Sequence, residues 1–212
     1  MIAMMAHHWG YPTAMRVIGG SAGGRRLKGP PEPRRGRRPA SNKVSGTRPT
    51  SDLIRGAIFD MLDAAGVDYG RVLDLYAGTG ALGIEALSRG DGTADFVEQD
   101  AGAAAVAREN LRVCGFEERG KVHVLTSARA AQRLGGSGPF TLILADPPYY
   151  DEGAPGVVEA VAGSELAGEE TVLVYEHARR VAPPEKMGRL RLWKSRRHGD
   201  TVVSMYRLEE EP

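Results

Sequence analysis

A glycine-rich turn between an apolar segment and a helical one is the first place where this sequence indicates chemistry. Residues 72–83 read Val-Leu-Asp-Leu-Tyr-Ala-Gly-Thr-Gly-Ala-Leu-Gly. Gly78 and Gly80 permit positive φ angles, so a ligand can approach backbone amides at the start of the helix. Together with Gly83 they also satisfy the G-x-G-x-x-G pattern of nicotinamide dinucleotide sites. The glycines by themselves therefore leave the cofactor undecided.

Two acidic residues favour S-adenosylmethionine over a dinucleotide. Asp74 stands four residues before Gly78, where a carboxylate can hold the cationic amino-acid end of S-adenosylmethionine but would repel a pyrophosphate. Glu98 comes 20 residues after Gly78 and can accept hydrogen bonds from ribose hydroxyls, a role that would serve either cofactor. We predict an S-adenosylmethionine site that contains Asp74, Tyr76, Gly78, Gly80 and Glu98.

The segment Asp146-Pro147-Pro148-Tyr149 indicates which reaction to expect. It follows a buried apolar segment, and ligands bind outside the carboxyl edge of open α/β sheets. The prolines stiffen the loop, so the Asp146 carboxylate and the Pro147 carbonyl can both accept hydrogen bonds from one exocyclic amine. Tyr149 offers a face on which a flipped base can stack. We predict methyl transfer to an exocyclic amine of a nucleobase, with Asp146, Pro147 and Tyr149 as catalytic residues.

The predicted reaction needs no metal ion. The sulfonium of S-adenosylmethionine is an activated methyl donor, so catalysis requires mainly positioning and polarisation of the amine. The sequence contains one cysteine, Cys114, which excludes an intramolecular disulfide and a cysteine-built zinc site and fits a reducing compartment. We expect Cys114 to be a small core residue rather than a nucleophile.

Positive charge is concentrated in two parts of the chain, although the net charge is only +1. Residues 15–49 contain ten Lys and Arg residues against one acid, Glu32, and a second basic cluster lies near the C-terminus. This asymmetry fits contact with a polyanion, and a solvated linker is the other interpretation. The candidate RNA-binding residues are Arg16, Arg25, Arg26, Arg34, Arg35, Arg37, Arg38 and Arg48. The second cluster consists of Lys186, Arg189, Arg191, Lys194, Arg196 and Arg197.

The elements that must position these residues alternate between strand-like and helical patterns. Such alternation predicts a mostly parallel sheet covered on both faces, and the last two strand-like segments predict an antiparallel hairpin. The strand-like segments are 71–76, 93–97, 122–125, 141–145, 170–176, 190–194 and 201–208. The helical segments are about 50–64, 81–88, 101–113 and 156–162.

Length and local composition predict one domain of ordinary size with an N-terminal arm. Residues 1–14 are predicted to be a disordered leader without the pattern of a secretory signal. Residues 15–49 are predicted to form a small hairpin and a flexible basic arm, and residues 50–212 the catalytic domain. No apolar run approaches the roughly 20 residues that a membrane span needs. We therefore predict a cytoplasmic protein.

With these motifs in place, the chain resembles the bacterial small-subunit ribosomal RNA guanine-N2 methyltransferases of the RsmD type, which methylate guanine 966 of 16S rRNA. The likeness runs from Met15 to about Leu208. Its most selective parts are the N-terminal pieces and the run Ala-Leu-Gly-Ile-Glu-Ala-Leu-Ser-Arg-Gly, whereas the two loop motifs are shared with many amino-methyltransferases. The matching segments are residues 15–20, 24–27, 48–52, 74–90 and 146–149.

The resemblance implies a Rossmann-like, seven-stranded class I methyltransferase sheet with a C-terminal antiparallel hairpin. It also implies that Glu98 contacts the cofactor ribose, and that 16S rRNA or the assembling small ribosomal subunit is the partner of a monomeric protein. Ser127 and Ala128 stand where such enzymes often carry an acid or amide before the alanine, and we include both in the predicted cofactor site. The arm looks longer and more basic than the family pattern, so its RNA contacts can differ.

Three other functions stay open at the level of the sequence. A DNA amino-methyltransferase would share the segment 146–149, but such enzymes usually carry a recognition domain for which this chain has no room. A nicotinamide oxidoreductase would be stabilised by dinucleotide and not by S-adenosylhomocysteine. A noncatalytic RNA-binding or assembly protein on the same fold would tolerate the loss of Asp146.

Overall fold

The structure is a computed structural model that describes residues 15–30 and 52–209. The predicted leader in residues 1–14 and most of the predicted arm lie outside these ranges. The described residues form a mixed sheet with helices packed on both faces. The predicted α/β class is therefore confirmed.

The helices and strands of the described ranges follow the predicted alternation, with shifts of a few residues at their ends. The five-residue helix α4 and a 3-10 turn at Ser127–Arg129 were not predicted, because such short elements carry little periodicity. The helices are α1 (Asp52–Asp63), α2 (Ala81–Arg89), α3 (Ala101–Cys114), α4 (Ala130–Leu134) and α5 (Ala154–Ala162). The strands are β1 (Arg71–Asp74), β2 (Thr93–Glu98), β3 (Gly120–Val124), β4 (Phe140–Ala145), β5 (Ala167–Ala178), β6 (Lys186–Met187), β7 (Leu190–His198) and β8 (Thr201–Arg207).

The strand order of the sheet is β3-β2-β1-β4-β5-β8-β7-β6. Strands β1 to β5 are parallel, and β8 and β7 are antiparallel to their neighbours, as predicted for the final hairpin. β1 pairs with both β2 and β4: β2 and β3 are added on one side of β1, and β4 and β5 are added on the other. Such a switch point opens a crevice at the carboxyl edge of the sheet.

The predicted number of seven strands is wrong by one. Lys186–Met187 pairs with Arg191 and Leu190 and adds β6 at the edge of the sheet. Gly188, with a φ of 57°, makes the tight turn between them. A strand of two residues is too short to show an alternating pattern in the sequence.

The sheet has two buried faces. Successive side chains along each strand point to opposite faces. Helices α1, α2 and α3 cover what we call the first face, and α4 and α5 cover the second face. In β4, for example, Leu142 and Leu144 belong to the first face, whereas Ile143 and Ala145 belong to the second.

An N-terminal hairpin is fastened to α2 by polar side chains of that helix. The Glu85 carboxylate accepts hydrogen bonds from the backbone amides of Ile18 (2.7 Å) and Gly19 (2.9 Å). The Ser88 hydroxyl donates to the Gly19 carbonyl at 2.5 Å. Gly20 has a φ of 73°, and a Cβ there would lie 1.9 Å from the Ser88 carbonyl oxygen. Residues 15–20 and 74–90, two of the segments that carry the family resemblance, therefore contact each other.

Candidate active site

The glycine turn after β1 forms a cradle at the carboxyl edge of the sheet. Gly78 and Gly80 both have positive φ, 54° and 85°, and Gly80 directly precedes α2. A Cβ at Gly83 would lie 2.3 Å from the Phe96 ring, so this glycine allows α2 to pack closely on the sheet. A Cβ at Gly78, in contrast, would project into open space. The backbone at Gly78 is therefore accessible to a ligand.

Asp74 lies beneath this turn, at the end of β1, and is only 1% exposed. Its Oδ2 accepts the backbone amide of Gly83 at 2.9 Å, while Oδ1 is buried without a well-formed hydrogen bond to the described residues. Burial raises the pKa of Asp74, the Gly83 amide opposes this, and the nearby carboxylates of Asp146 and Glu98 add to it, which leaves the pKa at about 7. A buried acid with a spare oxygen fits a cationic group such as an ammonium.

Glu98 connects the glycine turn to the end of β2. Its two oxygens accept the backbone amides of Gly78 (2.8 Å) and Asp100 (2.6 Å). Each carboxylate oxygen can accept a second hydrogen bond, and the side chain is only half-buried, so Glu98 can still bind ribose hydroxyls. The chain thus holds Glu98 in place before any ligand arrives.

Tyr76 and Ser127 lie next to each other at the end of β1, and their side chains interact. The Ser127 hydroxyl donates to the Leu75 carbonyl at 2.7 Å, which leaves the Ser127 oxygen as an acceptor. That oxygen can receive an amine such as the one on adenine. Burial raises the pKa of Tyr76 to about 12, so its phenol stays neutral. Ala128 belongs to the same 3-10 turn as Ser127.

The Asp-Pro-Pro-Tyr segment leaves the carboxyl end of β4, next to β1. Asp146 is half-buried and close enough to Asp74 to raise its pKa, and Pro147 is buried. The ring of Tyr149 is 45% exposed, yet its hydroxyl is fixed: it donates to Glu176 Oε1 at 3.2 Å and is hydrogen-bonded to the Thr201 hydroxyl. The loop therefore places an acid, and an aromatic ring fixed by hydrogen bonds of its hydroxyl, beside the glycine cradle.

Comparison with known proteins identifies the family. A family model described as conserved hypothetical protein 95 matches residues 15–207. The chain is 35% identical over 199 residues to "Putative rRNA methyltransferase YlbH" of Bacillus subtilis, a match that covers 91% of this chain and 98% of the relative. The chain belongs to this RsmD-type family. Over 135 residues it is also 33% identical to ribosomal RNA small subunit methyltransferase D of Escherichia coli, with 64% of this chain and 60% of that protein covered.

Among solved structures, an RNA methyltransferase from Salinibacter ruber has the same fold. The two structures agree with a TM-score of 0.55 at 19% identity, over 77% of this chain and 96% of that one. The Salinibacter protein was crystallised with S-adenosyl-L-homocysteine, which is S-adenosylmethionine without its methyl group. The predicted class I methyltransferase fold of this RsmD-type protein is thus confirmed. The predicted cofactor class follows from membership of this methyltransferase family.

The predicted RNA-binding residues of this RsmD-type protein fall into two groups. Arg16 and Arg26 form a backbone bridge in the N-terminal hairpin, where both side chains are exposed. Arg25 is also exposed and donates to the Val113 carbonyl at 3.0 Å. The other group lies outside the described residues and consists of Arg34, Arg35, Arg37, Arg38 and Arg48.

The sequence interpretation missed the residues that hold Tyr149. Glu176 on β5 and Thr201 on β8 are buried, at 4% and 6% exposure, and Arg180 donates to the Tyr149 carbonyl at 3.2 Å. A buried acid at the end of an apolar strand is a signal that could have identified Glu176. Nothing in the sequence indicates Thr201, because its contact depends on how β8 pairs with β5.

Within residues 15–30 and 52–209, no three or more His, Cys, Asp or Glu side chains are grouped so that they could hold a metal ion. No helix in this part of the chain has the length and apolar character needed to span a membrane. Cys114 is buried on α3 in the core of the first face, as expected for a core residue.

Proposed function

We propose that this protein transfers a methyl group from S-adenosylmethionine to the exocyclic N2 amine of a guanine in small-subunit (16S) rRNA, at the position of guanine 966. The observation that carries the proposal is the meeting of Asp74, Asp146 and the Tyr149 ring at one edge of the sheet. Together they offer a site for an ammonium, an acceptor for an amine and a surface for a base. The relatives named as rRNA methyltransferases support RNA as the substrate.

The cofactor would be held by residues on the ends of β1 and β2 and in the turn after β3. Asp74 Oδ1 receives the ammonium, Glu98 accepts the ribose hydroxyls, and Ser127 with Ala128 faces the adenine. The open backbone at Gly78 lets the cofactor lie against the turn. When bound, the cofactor supplies the activated methyl group.

The target amine would be held by the loop after β4. Asp146 and the Pro147 carbonyl each accept one N–H of the amine, which orients the nitrogen lone pair toward the methyl group. As the amine nitrogen takes the methyl group and gains positive charge, the Asp146 carboxylate would stabilise that charge in a partly dry site, and the nitrogen would then lose one of its two protons to solvent. Tyr149 stacks on the base and keeps it out of its helix.

We further propose that two parts of the chain have different roles, catalysis and RNA binding. Residues 50–212 form the catalytic domain, and the hairpin and arm in residues 15–49 bind RNA. The docking of the hairpin on Glu85 and Ser88 of α2 supports this, because it places Arg16 and Arg26 on the catalytic domain rather than on a separate unit.

One experiment tests the reaction and the target together. Purified protein is incubated with labelled S-adenosylmethionine and protein-free 16S rRNA, assembled small subunits or DNA, and the modified nucleoside is identified after digestion. We expect N2-methylguanosine from RNA and no label in DNA. A labelled adenosine or cytidine would give a different target, and no transfer to any substrate would refute the proposal.

Cofactor binding is tested separately from catalysis. S-adenosylhomocysteine at 100 times its dissociation constant should stabilise the fold by about 2.7 kcal/mol. A nicotinamide dinucleotide should not stabilise it, because Asp74 would face the pyrophosphate. Stabilisation by the dinucleotide and not by S-adenosylhomocysteine would favour an oxidoreductase instead.

A further inference from the structure

The C-terminal hairpin carries a high density of positive charge. From Lys186 to Glu209 there are seven Lys and Arg residues and two acids, Asp200 and Glu209. Most of the basic side chains lie on β7, where Arg191, Lys194, Arg196 and Arg197 are exposed. The proposed catalytic mechanism uses none of them, so their location requires an explanation of its own.

The pairing of β7 with β8 divides these basic residues between the two faces of the sheet. Lys194 lies opposite Met205, and Arg196 lies opposite Val203. Met205 and Val203 are buried in the core of the first face, and directly paired residues share a face. Lys194 and Arg196 therefore lie on the first face, whereas Arg197, opposite Val202, lies on the second.

On the first face, one strand, β8, separates Arg196 on β7 from Glu176 on β5, the residue that contacts Tyr149. Val203 on β8 pairs with Arg196 on one side and with Glu176 on the other. Glu176 accepts the Tyr149 hydroxyl. Since neighbouring strands are about 4.8 Å apart, the backbone of Arg196 is roughly 10 Å from that of Glu176. Lys194 is about 7 Å farther along β7, away from the active edge.

A half-exposed tryptophan lies within this basic row. A bulge between Leu192 and Lys194 turns Trp193 toward the first face, where it packs against the core. Lys194 Nζ is 4.1 Å from the ring centre, and the Arg207 guanidinium is 4.3 Å from it. These cation–π contacts hold the two cations over the ring, so they form an ordered positive surface rather than a set of freely moving side chains.

We propose that Lys194 and Arg196, on the first face of the β7–β8 hairpin, bind phosphates of the RNA strand that flanks the captured base. This inference rests on the proposed function, because it assumes an RNA substrate whose target base stacks on Tyr149. Arg196 contacts the phosphate nearer to the base, and Lys194 contacts a phosphate farther along the strand. Arg197 on the opposite face takes no part.

The register of the hairpin provides a matched pair of variants, Arg196→Gln and Arg197→Gln. Binding of protein-free 16S rRNA is measured at several KCl concentrations without cofactor. We expect Arg196→Gln to lower the slope of log affinity against log salt by about 0.7, which corresponds to one single-strand phosphate contact. Lys194→Gln combined with Arg196→Gln should lower it by about 1.4. Arg197→Gln should keep the wild-type slope.

Single-turnover methylation gives a second readout on the same variants. Arg196→Gln should raise the RNA concentration needed for half-maximal rate and leave the maximal rate unchanged, because the residue holds RNA and does not touch the reacting atoms. Thermal unfolding of each variant checks that the hairpin is intact. If the double variant is destabilised, the comparison of Arg196→Gln with Arg197→Gln still tests whether the first face binds RNA.

Two results would overturn the inference. Wild-type slopes in both Arg196→Gln and the double variant would mean that these charges only prevent an exposed edge strand from pairing with another chain. Equal decreases of the salt slope in Arg196→Gln and Arg197→Gln would mean that the hairpin contributes a general positive potential and that neither face binds RNA specifically. Failure of the proposed function is distinct from either result, since wild-type protein would then transfer no methyl group to any RNA.

Discussion

Replacing Glu85 by glutamine should destabilise the protein and release the N-terminal hairpin from α2. The Glu85 carboxylate is completely buried and accepts the amides of Ile18 and Gly19 together with Arg89 Nε at 2.9 Å. It also lies 3.7 Å from Nε of Arg55, a guanidinium that is itself completely buried. One carboxylate thus satisfies two backbone amides and faces two cations.

The size of the effect follows from what glutamine can and cannot replace. The Gln oxygen can replace one carboxylate oxygen and accept its donors, but the amide nitrogen that replaces the other oxygen is a donor itself and would face donors. The negative charge beside Arg55 and Arg89 would be lost, and breaking a buried ion pair typically costs about 3–5 kcal/mol. For a chain of this size, each kcal/mol lowers Tm by about 2–4 °C. We therefore expect Tm to fall by roughly 6–20 °C.

Denaturant and thermal unfolding of Glu85→Gln measure this loss directly. The matched control is Glu109→Gln on α3, because Glu109 also pairs with two cations, Arg112 (2.7 Å) and Lys28 (3.2 Å), but does so at the surface. Water can replace those contacts, so the control should keep nearly wild-type stability. A loss below about 1 kcal/mol in Glu85→Gln would refute the reasoning, because the buried carboxylate would then not be the required partner of the two arginines.

Three further predictions concern the active site. Asp146→Ala should slow single-turnover methyl transfer about a hundredfold with cofactor binding retained. Asp146→Asn should slow it less, because the amide oxygen still accepts a hydrogen bond. A wild-type rate in Asp146→Ala would contradict the assigned role. Tyr149→Phe should lower kcat/KM about fivefold and Tyr149→Ala considerably more, since the hydroxyl anchors the ring that stacks on the base. A Tyr149→Phe loss as large as that of Tyr149→Ala would show that the hydroxyl, and not the ring, carries the role. Calorimetry should show S-adenosylhomocysteine affinity falling about tenfold per pH unit below the Asp74 pKa of about 7, because the ammonium requires the ionised carboxylate. Asp74→Asn should bind weakly with no such pH dependence.

The linkage for folding has the opposite direction to that for binding. The pKa of Asp74 is raised in the folded protein, so the folded state binds the proton more tightly than the unfolded chain does. The Asp74 contribution to stability without cofactor is therefore most favourable below its unfolded pKa and decreases as pH rises toward 7. Burial of the charged carboxylate opposes folding until a bound cation compensates it.

The sequence by itself determined the alternation of strands and helices, the turn with Gly78 and Gly80, and the loop from Asp146 to Tyr149. These features depend on local physics: strands and helices differ in hydrophobic period, and glycine and proline set the backbone angles of a turn. Because parallel strands end at one edge, the sequence also predicts that Asp74, Glu98 and Asp146 lie near one another. The pKa of Asp74 reflects that proximity.

The tertiary structure decided the contacts that join distant parts of the chain. Glu85 binds amides 66 and 67 residues away, and Tyr149 is held by Glu176 and Thr201, 27 and 52 residues away. The orientation of Arg196 depends on a bulge in β7, a strand whose second half is polar. No hydrophobic alternation marks the register of such a strand, so the face on which a charged side chain lies is settled only when the strand pairs with its neighbour.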